Sequence, residues 1–174
     1  MSQAEIAGGK VSPKAAIPKV GYRLLDFFLK STDGREIRLS DYRGSSNVVL
    51  MFNAPSGDCA RLTHELGPHY QLIREQQAAV LVIVSRPADL QGLHQLPFPI
   101  LTDFSQDVYA DYGLHKSADP VSGIFIADRF GELAASYVAS DTANATSASI
   151  LKWLEFINSQ CPECEPPEWP LEDR

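Results

Sequence analysis

Two stretches of the chain are apolar at every position: Val48-Val49-Leu50-Met51-Phe52 and Ala79-Val80-Leu81-Val82-Ile83-Val84. Such runs read as central strands covered on both faces. Between them Leu62, Leu66, Tyr70 and Ile73 recur at about helical spacing, which predicts a helix from Cys59 to Gln77 with one buried stripe. Gly67-Pro68 interrupts that stripe. Pro68 lacks an N–H and its ring clashes one turn back, so a kink is expected there. A buried strand, a crossover helix and a second buried strand predict a right-handed βαβ unit with parallel strands.

Alternation elsewhere supplies the flanking elements. Leu25 to Leu29 and Arg35 to Leu39 enclose Ser31-Thr32-Asp33-Gly34, a tight-turn signal between two short strands. Ala88 to Gln95 predicts a short helix, Pro97 to Thr102 an extended segment, and Gln106 to Tyr112 another helical turn or two. Gly123 to Ala127 and Glu132 to Tyr137, joined by Asp128-Arg129-Phe130-Gly131, predict an antiparallel hairpin. Ser147 to Ser159 closes the pattern as a helix with Ile150, Leu151, Leu154 and Ile157 on one face. The order predicts an α/β domain with a mixed central sheet flanked by helices. Residues 1–18 form an N-terminal arm, 19–160 the domain, and 161–174 an acidic, Pro-rich tail.

Composition narrows the function. A chain of 174 residues with 44% hydrophobic and 21% charged residues suits one globular domain. Met1 to Lys19 has no continuous apolar run and no stretch is long enough to span a bilayer, so a cytoplasmic protein with no membrane partner is expected. A net charge of −7 without a basic stripe argues against nucleic acid. Three cysteines are too few for a disulfide scaffold. His64, His69, His94 and His115 share no metal-like spacing, and neither a metal nor another cofactor is expected.

The candidate chemistry is Cys59, placed where the first apolar strand gives way to a helix. The first four amide N–H groups of a helix have no internal partner, and the aligned peptide dipoles put partial positive charge there. A thiolate is favoured at that position, and lowering the thiol pKa by about two units makes the nucleophilic form dominant at neutral pH. Opposing this, Asp58 adds negative charge and an unpaired Cys often fills core space. Position alone leaves both roles open.

Five segments in order resemble the peroxiredoxin branch of the thioredoxin-like superfamily, the alkyl hydroperoxide reductase and thiol-specific antioxidant group. They are Val20-Gly21 through Leu29, Thr32-Asp33-Gly34-Arg35 through Gly44, Val48 to Cys59, Pro97 through Asp103 leading to Tyr112-Gly113-Leu114, and Ser122 through Asp128 with Gly131. The resemblance implies a thioredoxin-like fold and a peroxidase with Cys59 as nucleophile. In the family signature, Pro-x-x-x-Thr-x-x-Cys, Ser56 stands at the hydroxyl position and Phe52 at that of the Pro, while Pro55 falls at another spacing. The family's thiolate-stabilising Arg is replaced by Ser122, with Arg61 or Arg86 as substitute cations. The stretch Cys59-Ala60-Arg61-Leu62, followed by Glu65, also resembles the Cys-x-x-Cys of disulfide reductases with Leu62 in place of the second Cys. A dithiol exchanges disulfides because the second thiolate resolves the mixed disulfide of the first, so that local cycle is broken. The cis-Pro of those enzymes has no counterpart unless Pro120 serves.

Cys161 and Cys164 are candidate resolving residues: if the tail folds back, one attacks a sulfenic acid at Cys59. That requires Cα atoms within about 7 Å. As half of a zinc site the pair lacks two further ligands. The expected function is therefore a thiol-dependent peroxidase whose partners are a peroxide or disulfide substrate and an external thiol reductant, with a homodimer left open. The alternatives are single-cysteine thiol-disulfide exchange and a thioredoxin-fold binding module without chemistry. Both redox readings require Cys59 to be electrostatically primed and within reach of solvent.

Overall fold

The computed structural model describes residues 15–54, 58–116 and 119–160. A seven-stranded mixed sheet runs through it in the order β2 (Glu36–Arg38), β1 (Phe28–Ser31), β5 (Ile100–Thr102), β4 (Ala78–Val84), β3 (Asn47–Asn53), β8 (Gly123–Ala127), β9 (Leu133–Val138). At its centre β3 lies parallel to β4, in register from Asn47 opposite Ala78 to Asn53 opposite Val84. The hairpin of β8 and β9 adds to β3 antiparallel. On the other side, β5 joins β4 in parallel, and the hairpin of β1 and β2 completes the edge. Its turn needs Gly34, at φ +86°.

Both apolar runs are buried on both faces, as the uninterrupted pattern requires. Val49 and Met51 of β3, with Val80, Val82 and Val84 of β4, face one core layer. Val48, Leu50 and Phe52, with Leu81 and Ile83, face the other. The first layer is covered by α1 (Cys59–Leu66), α2 (Tyr70–Glu75) and α4 (Ser147–Ser159), which contribute Leu62, Leu66, Ile73, Ile150, Leu154 and Ile157. The second is closed by Tyr109 and Tyr112, at and just beyond α3 (Asp107–Asp111), stacked around Phe52. The predicted break falls where Pro68 demands it: a 3₁₀ turn at Gly67–His69 separates α1 from α2.

The reading over 88–95 changes, and one short ladder is added. In place of a short helix over 88–95 there are two 3₁₀ turns, Pro87–Leu90 and Leu93–Gln95, because Gly92 between them adopts φ +79° and cannot continue a right-handed helix. A two-residue ladder of β6 (His115–Lys116) and β7 (Asp119–Pro120) stands apart from the main sheet. The tail at 161–174 and most of the arm at 1–18 lie outside the described residues. Among the described residues no helix is long and apolar enough to cross a membrane.

Helix α4 fixes the two ends of the molecule. It begins at a Thr146–Ser149 capping box and runs antiparallel to β3. At its far end the Asn158 amide receives a hydrogen bond from Asn47 Nδ2 at 2.9 Å and donates to the Gln76 carbonyl at 2.8 Å. Its last turn thus lies beside the start of β3, whereas Cys59 follows the strand's other end.

Candidate active site

The chain leaves β3 at Asn53 and Ala54, and the Ala54 N–H donates to Ser122 Oγ at 3.2 Å. Ser122, where the family places its Arg, is itself buried and serves the backbone instead. Pro55 and Ser56 lie outside the described residues. Asp58 then leads into α1 without making a side-chain cap, and Cys59 is the first helical residue.

Cys59 is 0% exposed, within the core cluster that contains Met51, Leu62, Val84 and Ile124. Burial pushes its thiol well above the ordinary range, and a hydrogen bond from the Thr63 side chain acts weakly the other way. No charged group is among the influences on it. The expectation of a primed, solvent-accessible thiolate is therefore overturned, and magnitudes show why. A helix dipole contributes about 0.3–1 kcal/mol to a nearby charge, up to about 2 kcal/mol in favourable partly buried geometries. Removing an unpaired charge from water costs several kcal/mol. Desolvation wins, and the resting thiol is neutral.

Arg61 does not supply the missing cation. Two positions along the helix from Cys59, it points to a different face. There it bonds Glu65 at 2.5 Å and Asp58 at 3.7 Å in a solvent-exposed cluster. Arg86 pairs with Asp89 at 3.4 Å. Leu62 is fully buried in the core at the position of a second thiol, and no described peptide bond, Pro120's included, is cis. Cys161 and Cys164 lie outside the described residues.

Three residues not singled out in the sequence surround Cys59. Thr63 Oγ1 lies 2.7 Å from the Cys59 carbonyl and 3.3 Å from Asn53 Oδ1. Its spacing of four from Cys59 was the available signal, since such residues share a helix face. Asn53, the polar residue ending an otherwise apolar strand, was the second. Tyr109 gave no signal: its hydroxyl reaches across from α3 to the carbonyls of Asn53 at 2.5 Å and Ile83 at 2.9 Å, tying together the ends of β3 and β4. Asp103, whose carboxyl is pushed up chiefly by burial, accepts from the Tyr109 N–H at 3.0 Å and fixes that ring.

Sheet order, flanking helices and a thiol at the junction of β3 and α1 define a thioredoxin-like protein with no second cysteine at that junction among the described residues. The AhpC/TSA family model matches residues 20–136, and the chain belongs to that family. Among solved structures, the peroxidoxin BcpB from Mycobacterium tuberculosis superposes with a TM-score of 0.68 at 22% identity, over 81% of this chain and 99% of that one. The mitochondrial 2-Cys peroxiredoxin from Plasmodium falciparum gives 0.67 at 18% identity, over 80% and 94%. These likenesses establish the peroxiredoxin-type, thioredoxin-like fold. A curated relative, the thiol-disulfide oxidoreductase ResA of Geobacillus thermodenitrificans, is 28% identical over 146 residues, 79% of this chain and 78% of that protein.

Proposed function

We propose that this protein is a thiol-dependent peroxidase of the peroxiredoxin type with Cys59 as its reacting group. Family membership supports thiol redox chemistry. Because the primed, exposed sulfur expected of it is sealed at rest, the chemistry depends on opening of α1, and complete burial of Cys59 favours a small substrate over a protein disulfide. A protein disulfide has to bring its own sulfur into line with Sγ, which requires α1 to leave the core. A small hydroperoxide needs only a brief opening of the helix's first turn. The absence of a second thiol at Leu62 weighs the same way against disulfide exchange.

Because the resting thiol is neutral, reaction runs through the fraction of molecules in which that turn opens and the sulfur ionises. The thiolate attacks one peroxide oxygen, the S–O bond forms as O–O breaks, and the leaving alkoxide or hydroxide takes a proton from water. The balance is Cys–SH plus ROOH giving Cys–SOH plus ROH. Because Cys59 is fully buried at rest, the turn has to open again before an external thiol reaches the oxidised sulfur. One thiol displaces water from the sulfenic acid to give a mixed disulfide, and a second releases the Cys59 thiol.

An external reductant is supported by where α4 ends, beside the start of β3. The seven residues of β3 separate the end of α4 from Cys59 by roughly 20 Å. Cys161 follows Gln160 directly and cannot cross that distance. Cys164 spans about 14 Å fully stretched, and meets Cys59 only if every intervening residue lies extended along the surface. Ser56 is assigned a hydrogen bond to the peroxide from its place in the signature, and Arg61 no direct role.

The test is consumption of hydrogen peroxide with dithiothreitol by the purified protein and by Cys59→Ser. Turnover lost in the variant supports the proposal. Equal rates overturn it and leave the binding-module reading, which the sealed thiol and the lack of a cation on it favour.

A further inference from the structure

Asn53 is buried, 3% exposed, at the end of β3. Its backbone is tied down by Tyr109, but its carboxamide is not satisfied. Thr63 has one hydroxyl proton to divide between the Cys59 carbonyl at 2.7 Å and Asn53 Oδ1 at 3.3 Å, so the acceptor end is weakly engaged. The amino end, Nδ2, has no partner at all. A buried donor left unpaired costs about 1–3 kcal/mol. Through Thr63 Oγ1, which lies within hydrogen-bond distance of both the Cys59 carbonyl and Asn53 Oδ1, the carboxamide belongs to the same buried cluster as Cys59.

We infer that the Asn53 amino group is the hydrogen-bond donor to the oxygen that Cys59 attacks, first in the bound peroxide and then in the sulfenic acid. The inference rests on the peroxidase reading and deepens it. As negative charge spreads onto the peroxide oxygens while the O–O bond breaks, a preorganised donor lowers the barrier. With Ser122 in the family's Arg position, Arg61 turned to solvent and the Arg86 guanidinium drawn to Asp89, the neutral amide joined to Cys59 through Thr63 is the donor favoured here. Its substrate is correspondingly small: hydrogen peroxide or a short hydroperoxide that fits beside a packed helix terminus.

The experiment compares wild type, Asn53→Leu, Asn53→Val and Asn53→Ser by three readouts. These are the rate of Cys59 oxidation by hydrogen peroxide, trapped with dimedone, the rate of Cys59 alkylation by iodoacetamide at the same pH, and the melting temperature. Leu preserves the branched shape of the carboxamide, Val offers a smaller apolar replacement should Leu fail to fold, and Ser keeps a donor. Expected is a fall in peroxide oxidation of about tenfold or more in the Leu or Val variant, a smaller fall in Ser, alkylation within about twofold of wild type, and melting unchanged or higher because an unsatisfied polar group has been removed. Oxidation and alkylation falling together, or neither falling, overturns the inference, since a structural role affects access for both reagents. If wild-type Cys59 is not oxidised at all, the peroxidase reading itself fails; if it is and the Leu and Val variants match it, only the role of Asn53 fails.

Discussion

At Cys59, burial opposes ionisation and the Thr63 hydroxyl favours it, with burial the larger influence. Removing that hydroxyl while keeping the side chain's shape isolates the smaller influence: Thr63→Val is expected to raise the thiol's apparent pKa further. Alkylation rate against pH measures this, and a fall in the apparent pKa would contradict it. The raised pKa also has a consequence for stability. The folded state keeps a proton that the unfolded chain releases above about pH 8.5, so stability that is complete below that pH is lost as pH rises, by up to about 1.4 kcal/mol per unit. Tyr109 and Tyr112, also raised by burial, add to the slope only from about pH 10. Between about pH 8.5 and 10, urea melts should show the slope in wild type and a flatter one in Cys59→Ala. Cys59 was legible as the residue to examine, but its ionisation state was not. A position at a helix start is visible in the chain, whereas desolvation depends on what the opposite strands and α4 bring over it.

The central strand–helix–strand unit was readable element by element. Two wholly apolar runs can sit only in the middle of a covered sheet, and Pro68 breaks the helix wherever the fold puts it. Elements held by a single contact were not readable. Tyr109 reaches the ends of β3 and β4 from a helix of five residues, and nothing in its surrounding sequence marks that bond. Tyr109→Phe keeps the ring against Phe52 but removes the hydroxyl from two buried carbonyls. Thermal or urea unfolding should show a loss of about 1–3 kcal/mol, together with faster alkylation of Cys59, because the end of the sheet beneath α1 is loosened. Gly123 limits the same region from the other side. A Cβ there would lie 2.9 Å from both methyls of the fully buried Leu114, so Gly123→Ala is expected to destabilise by about 1–3 kcal/mol in the same melts.

Across the whole molecule, the length of β3 separates the last described turn of α4 from Cys59. Asn158, in the last turn of α4, lies beside Asn47 and Gln76, whereas Cys59 follows the opposite end of β3. The sequence shows three cysteines, but that α4 ends at the start of β3, away from Cys59, is visible only in the fold. With dithiothreitol as reductant, the Cys161→Ser, Cys164→Ser double variant should turn over peroxide at the wild-type rate, and peptide mapping of oxidised protein should find no Cys59–Cys161 link. Peroxidase activity in this fold depends on Cys59 being neutral and sealed at rest and reacting through transient opening of the first turn of α1. The most direct test of this dependence is the rate of Cys59 alkylation in the folded protein between pH 6 and 8. A neutral, sealed thiol predicts a rate far below that of the unfolded chain, rising about tenfold per pH unit with the thiolate fraction. A fast rate that is flat across that range would show a thiolate already formed, and would contradict it.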